Sequence, residues 1–276
     1  MLITSRGDNM IKNIKLFVNN NSKSYRVAKD VEDRFIKNGY TISDTEFDLG
    51  IAIGGDGSFL RMIKSCNFST TPFYVGINSG TLGFLQEVKI DELDKFLEEL
   101  REESFKIENI GIQETTIAHS NGISKFCSLN EILIRDKNLK LSKLAISIDG
   151  DLLEKFAGDG VMIATSLGST AHNLSYGGSI VYSDFSTLQI TPIGPINSSS
   201  YRTLPNSLIV PASKEIVVQP LAGINDLMVT IDGENNIYDY VENIKTEIKD
   251  RKIKCLRFSH YNFPQKIHEK LLSGND

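Results

Sequence analysis

An α/β domain followed by an all-β domain is the fold class this sequence predicts. Three observations predict it. From residue 10 to 106, short apolar runs of strand character alternate with stretches whose apolar residues recur at helical spacing. From 107 to 250 the helical spacing disappears, and short alternating runs separated by turn signals take its place. In the first half, glycine-rich loops stand where strands end, the edge at which α/β sheets bind ligands.

The first half reads element by element. Ile14 to Val18 is a short strand. Tyr25, Val27, Val31, Phe35 and Ile36 then mark a helix that Gly39 stops. Leu49 to Ile53 is an apolar strand, and Phe59, Leu60, Met62 and Ile63 supply the buried face of the helix that follows. Phe73 to Ile77 is a further strand, and Leu93, Phe96, Leu97 and Leu100 line one face of an acidic helix that closes near Phe105. In the second half, residues 144–148, 161–164, 207–210, 215–218 and 227–231 alternate as strands do, with turns at Asp149-Gly150, Ala222-Gly223 and Asp232-Gly233. The tail from 251 to 276 begins with strand character at Ile253 to Phe258, which makes a return to the first domain possible. Residues 1–9 precede a second Met, Met10, and read as an extension outside the fold.

Composition narrows the function. The 276 residues are 40% apolar and 24% charged, as ordinary globular domains are, and the net charge of −5 argues against a broad basic surface for nucleic acid. Cys66, Cys127 and Cys255 are odd in number and widely spaced, so neither a zinc site nor a disulfide framework is indicated, and a reducing cytoplasm is the natural reading. No apolar stretch approaches the roughly 18 residues that cross a bilayer.

Three segments carry candidate chemistry. Gly54-Gly55-Asp56-Gly57-Ser58 puts a carboxylate between glycines at a strand-to-helix junction, where backbone N–H groups and the helix N-terminus favour phosphate. Arg61 and Lys64 add positive charge within two turns. A second glycine-rich loop, Asn78 to Phe84, also follows a strand and would face the same edge. Asn130-Glu131 sets an amide beside a carboxylate; in a regular strand the two would point to opposite faces, so a shared role requires a bend, and judged alone the pair reads as solvated strand-end polarity. Residues 158–178, GDGVMIATSLGSTAHNLSYGG, run from a strand into small hydroxyl and glycine residues that allow a ligand close to the backbone.

In this order, GGDGS, NSGTLGFL, NE, the 158–178 segment and TIDG resemble the bacterial NAD kinases over about residues 14 to 258. The first motif alone also occurs in diacylglycerol, sphingosine and 6-phosphofructo kinases; the long third segment separates the NAD kinases from them. The resemblance implies a Rossmann-like N-terminal α/β domain, a C-terminal β-sandwich and a homotetramer. It also implies ATP with a divalent metal, Mg2+, as phosphoryl donor and NAD as acceptor. Asp56 is implied to accept the proton of the adenosine 2′-hydroxyl, with Gly57 lining the nucleotide site and the backbone of Gly54, Gly55 and Gly57 holding the triphosphate. Asn130 and Glu131 match the pair that binds NAD, and Asp159 lies in the family's second Gly-Asp-Gly. Thr170, Ala171, His172, Asn173, Leu174 and Ser175 match the segment that wraps the nucleotide, and Asn78 and Phe84 fall in the loop on its adenine side. No protein metal ligand is indicated.

The chain departs from the family at several points. Ser58 stands where Thr is usual, Ser166-Leu167 where Pro-Thr is common, and His172 in place of a Tyr. Tyr176 occupies a position usually small, and Glu234 falls where a nucleotide-contacting Gln is common. Two rival readings are a lipid kinase sharing the first motif and a dinucleotide-binding regulator without catalysis. No membrane-binding stretch supports the former, and retention of Asp56, Asn130, Glu131 and Asp159 argues against the latter.

Overall fold

The computed structural model describes residues 11–80, 83–199, 201–221 and 226–273. The expected N-terminal extension, Thr81 and Leu82 of the second glycine-rich loop and the Ala222-Gly223 turn lie outside the described residues. The chain divides into two compact units: residues up to Asn109 together with those from Ile253 on, and residues Ile110–Lys252.

Unit 1 begins β1 (Asn13–Val18), α1 (Ser22–Lys37), β2 (Thr41–Ile42), β3 (Leu49–Gly54), α2 (Asp56–Ser65), β4 (Phe73–Asn78), β5 (Val88–Lys89) and α3 (Leu93–Glu102). The strands pair in parallel in the order β2-β1-β3-β4, and β5 runs parallel beside the end of β4. Every residue of β3 is buried, which is why it reads as an unbroken apolar run rather than an alternating one. Asn21 caps α1 by accepting the Ser24 N–H at 2.8 Å, and Val31 and Phe35 on its inner face join Ile51, Ile53, Val75, Ile77 and Phe96 in one core. The two-residue β2 carried too little pattern to be read from the sequence. From β1 the chain crosses through α1 to β2, and from β3 through α2 to β4, so the order of winding reverses between β1 and β3. Such a switch point opens a crevice outside the carboxyl ends of the strands. Asn19 and the Gly54-Gly55 pair stand at that edge, joined by the Asn19 N–H donating to the Ile53 carbonyl at 3.0 Å.

Unit 2 contains most of β6 (Lys106–His119), then β7 (Gly122–Ser128), β8 (Glu131–Asp136), β9 (Ser142–Ile148), β10 (Asp151–Gly158) and β11 (Gly160–Thr165). After the short helix α4 (His172–Ser175) come β12 (Thr187–Ile193), β13 (Leu208–Pro211), β14 (Ile216–Pro220), β15 (Leu227–Ile231), β16 (Glu234–Tyr238) and the first part of β17 (Asn243–Arg257). Six strands form an antiparallel sheet in the order β13-β12-β11-β8-β15-β16, and β10, β9, β14 and β17 pair antiparallel in a second. Ile132, Ile134, Val161 and Ile163 of the first sheet share a core with Leu144, Ile146, Ile216 and Val218 of the second. The all-β expectation for this half is met by two sheets enclosing one hydrophobic layer.

The last residues of β17 belong to unit 1, pairing in parallel with the start of β4 at Lys254–Phe73 and Cys255–Tyr74. A short helix, α5 (Phe263–Ile267), follows behind Asn262, whose side chain accepts the Gln265 N–H at 3.1 Å, and a wider turn continues through residues 268–272. Charge fastens this segment. Arg257 lies 2.7 Å from Glu108 and 3.5 Å from Glu87, Lys266 lies 3.2 Å from Glu87, and the Phe258 N–H donates to Glu87 at 3.0 Å. Burial and the neighbouring Arg257 push the Lys266 ammonium down, while Glu87 and, from α2, Asp56 pull it back up.

Candidate functional site

In unit 1 the site is built around the junction of β3 and α2. Asp56 is the first helical residue of α2, with Gly55 at the cap position. Its carboxylate accepts the Phe84 N–H at 2.8 Å on one oxygen and the Leu85 N–H at 2.9 Å on the other. In return, the buried Gln86 side chain donates to the Gly55 carbonyl at 2.9 Å. The two glycine-rich segments therefore clasp each other, fixing the carboxylate at two points and leaving each oxygen a further lone pair. A Cβ at Gly83 would overlap the Asp56 carboxylate, so the close approach requires glycine there. Asn78 is spent locally: its side chain donates to the Gly80 carbonyl at 2.6 Å and accepts the Gly80 N–H at 2.9 Å. Phe84 is half-buried and Gly57 exposed.

Arg61, one turn into α2, donates to the Asn19 side chain at 2.8 Å and to the Ser58 hydroxyl at 3.2 Å. These three residues line a groove of about 380 Å³ whose other walls include Leu16, Val18 and Met62. Ser58, the departure from the usual Thr, thus keeps a hydroxyl in use.

In unit 2 the Asn130–Glu131 pair sits at a bend. β7 ends at Ser128 and β8 begins at Glu131, so the strict alternation of a strand does not separate the two side chains. Both are buried, at 9% and 6% exposure, which corrects the reading of the pair as solvated polarity. The bend is held by Asp232, whose carboxylate accepts the Leu129, Asn130 and Glu131 N–H groups at 2.9, 2.8 and 3.2 Å. From β11, the Thr165 hydroxyl donates to the Leu129 carbonyl at 2.5 Å and accepts the Gly168 N–H at 3.0 Å, while the Thr165 N–H donates to the Asn130 carbonyl at 2.8 Å. A Cβ at Gly168 would overlap the Asn130 backbone. In the sequence Asp232-Gly233 is a turn signal and the end of the TIDG motif, with no role assigned to the Asp232 side chain. Both residues do have positive φ, as a two-residue hairpin between β15 and β16 requires. The further role of Asp232 lay in partners about a hundred residues away, with the TIDG motif as the available signal.

Glu131 differs from its neighbours in having a buried oxygen, Oε2, without a hydrogen-bond partner among the described residues. Burial, and then the Asp232 charge, push its carboxyl up to about 8.

The 158–178 segment divides by exposure. Asp159 is exposed in the turn between β10 and β11, its N–H donating to the Ile193 carbonyl at 2.8 Å. Thr170, Ala171 and Leu174 are half-buried, and His172 and Ser175 are exposed. The His172 ring lies 4.9 Å from that of Tyr176. Asn173 is fully buried, accepting from the Thr191 hydroxyl at 2.6 Å and donating to Gln189 at 3.3 Å, so its side chain braces the sheet instead of facing solvent. Glu234 opens β16 with an exposed side chain.

Residues 7–105 match the ATP-NAD kinase N-terminal domain and residues 129–250 the ATP-NAD kinase C-terminal domain. The NAD kinase of Finegoldia magna is 38% identical over 96% of this chain and the whole of its own length. That of Streptococcus pneumoniae is 33% identical, covering 96% of this chain and 98% of the relative. Among solved structures, yeast NADH kinase complexed with NADH superposes with a TM-score of 0.84 at 21% identity, covering 97% of this chain and 89% of that one. An NAD kinase from Archaeoglobus fulgidus in complex with ATP gives 0.73 at 21% identity, covering 94% and 98%. At that identity the likeness concerns the fold.

Proposed function

The chain belongs to the ATP-NAD kinase family, and on that premise we propose that it transfers the γ-phosphate of ATP to the 2′-hydroxyl of the adenosine ribose of NAD, forming NADP. Its relatives are phosphotransferases that act on NAD, and the two matched domains together span most of the chain.

The observation that carries the catalytic assignment is the Asp56 carboxylate, set at the start of α2 and gripped by the Phe84 and Leu85 N–H groups. In our reading it accepts the 2′-hydroxyl proton as that oxygen attacks the γ-phosphorus. Each carboxylate oxygen retains a lone pair for the task, and the two N–H groups hold the plane in which it is offered. The transferred group is stabilised by positioning and charge more than by covalent chemistry. We assign the triphosphate to the Gly54, Gly55 and Gly57 backbone, in line with the first turn of α2. Asn130 and Glu131 bind NAD, with Asp159, Thr170, Ala171, His172, Leu174 and Ser175 as further contacts; Asn173 acts behind them through Gln189 and Thr191. Asn78 and Phe84 shape the loop on the adenine side, and Glu234 stands in for the family's Gln.

Among the described residues no group of three or more His, Cys, Asp or Glu side chains is placed to hold a metal ion. By family resemblance we take ATP as its Mg2+ complex, with the cation held by phosphates and water and neutralising part of their charge. No helix among the described residues is long and apolar enough to cross a membrane. From the cysteine pattern we assign the protein to a reducing cytoplasm and, by family resemblance, to a homotetramer. Incubation with NAD, ATP and Mg2+ should yield NADP, detected by an NADP-specific dehydrogenase. Absence of NADP, with NAD still bound, would convert the reading to that of a regulator.

A further inference from the structure

The Glu131 side chain is buried, and among the described residues one of its oxygens has no hydrogen-bond partner and its charged neighbour is Asp232. The elements packed around it explain why. β11 and the turn at 167–170 contribute no charged residue, and the hairpin between β15 and β16 contributes Asp232 and the exposed Glu234. Three backbone N–H groups converge on Asp232 and hold the negative charge there. Two carboxyl groups so close cannot both ionise cheaply, and the one without donors keeps its proton. A protonated carboxyl is no longer an acceptor only: it presents one O–H.

We propose that Glu131 meets the bound dinucleotide as a neutral carboxylic acid, donating its O–H to an acceptor oxygen or nitrogen of NAD, so that ionisation of this one side chain weakens binding. The inference rests on the reading of the Asn130–Glu131 bend as the NAD site. It makes the bend a donor-rich recognition element, with the Asn130 amide and the Glu131 acid both able to give hydrogen bonds. It also makes Asp232 a positioning residue twice over, through the backbone it grips and the proton it keeps on its neighbour. The carboxyl, pushed up to about 8, would be mostly protonated at neutral pH and mostly ionised one unit above that value.

Calorimetric titration of the full chain with NAD alone, from pH 6.5 to 9.5, tests the proposal. The wild-type Kd should rise about tenfold between pH 7 and 9, as the protonated fraction falls from roughly nine-tenths to one-tenth. Glu131→Gln, which retains an N–H donor without the titration, should bind within about threefold of wild type at pH 7 and keep that affinity at pH 9, whereas Glu131→Ala should bind at least tenfold more weakly at both. The proposal is overturned if Glu131→Gln is as weak as Glu131→Ala, or if the wild-type affinity is flat to pH 9.5. If Asn130→Ala and Glu131→Ala both bind NAD as wild type does, the placement of NAD at the bend fails instead, and the proposal with it. Thermal unfolding of each variant separates loss of binding from loss of fold.

Discussion

Asp56 in unit 1 and Glu131 in unit 2 carry the same functional group in opposite surroundings. Asp56 has a backbone N–H on each oxygen, both drawn from a loop folded over it; Glu131 is buried, feels the Asp232 charge and has an oxygen with no partner among the described residues. The difference follows from the supply of backbone donors. Residues 84 and 85 turn their N–H groups toward Asp56, whereas at the β7–β8 bend the three available N–H groups go to Asp232. One chemical group thus meets two opposite hydrogen-bonding environments through local geometry alone, a donor on each oxygen in one case and a buried neighbouring charge in the other.

The largest effect should come from breaking the first half of this contrast. Asp56→Asn removes the proposed base and should lower NADP formation about a thousandfold, within the usual range for general-base loss, with NAD affinity within several-fold of wild type. Near-normal turnover in a coupled NADP assay would refute the role. Gly83→Ala probes the same carboxylate from outside: the added Cβ displaces it, so activity should fall steeply although Asp56 is intact, and the residual rate measures how much the clasp contributes.

The second half breaks at Asp232. Asp232→Ala strips the acceptor from three N–H groups and should destabilise the protein by about 3 kcal/mol in urea denaturation, roughly one for each bond lost. An unchanged midpoint would mean that water replaces the carboxylate at no cost. A smaller change is expected from Asn130→Ala, which should raise the KM for NAD by about tenfold while changing that for ATP less; the reverse order would place the wrong substrate at the bend.

The mildest test sharpens the contrast through pH. The folded protein holds the Glu131 proton up to about 8, while the unfolded chain releases it near 4.5. Between those values the native state carries the extra proton, so this group's contribution to stability falls as pH rises through the window and is gone above it. Glu131→Gln should flatten the decline in unfolding free energy between pH 5 and 8; a decline as steep as in wild type would assign it to other groups.

Much of unit 1 was legible in the sequence because its signals are local. The run from Leu49 to Ile53, the glycines around Asp56 and the helical spacing after them describe a strand, a turn and a helix without reference to anything distant. The Asn130–Glu131 bend was not legible in the same way. Read as a strand end, the pair looked solvated; its burial depends on Thr165, Gly168 and Asp232, which only the sheet brings alongside. Asn173 poses the converse problem: a polar residue in a loop of ligand-binding character is consumed by Gln189 and Thr191 of a neighbouring strand. The helix α5 escaped notice because five residues give no periodicity, and what holds it is distant in sequence: the buried Lys266 pairs with Glu87.

The return of residues 253–257 to β4 bears on how the chain is made. A polypeptide emerging from the ribosome N-terminus first has all of unit 2 in hand by residue 252, while one flank of β4 still lacks the strand that will cover its first residues. Unit 1 is in effect a garment sewn closed by its last stitch, with the Arg257 and Lys266 ion pairs to Glu87 as the knot. During that interval the apolar parallel edge at the start of β4 stands open.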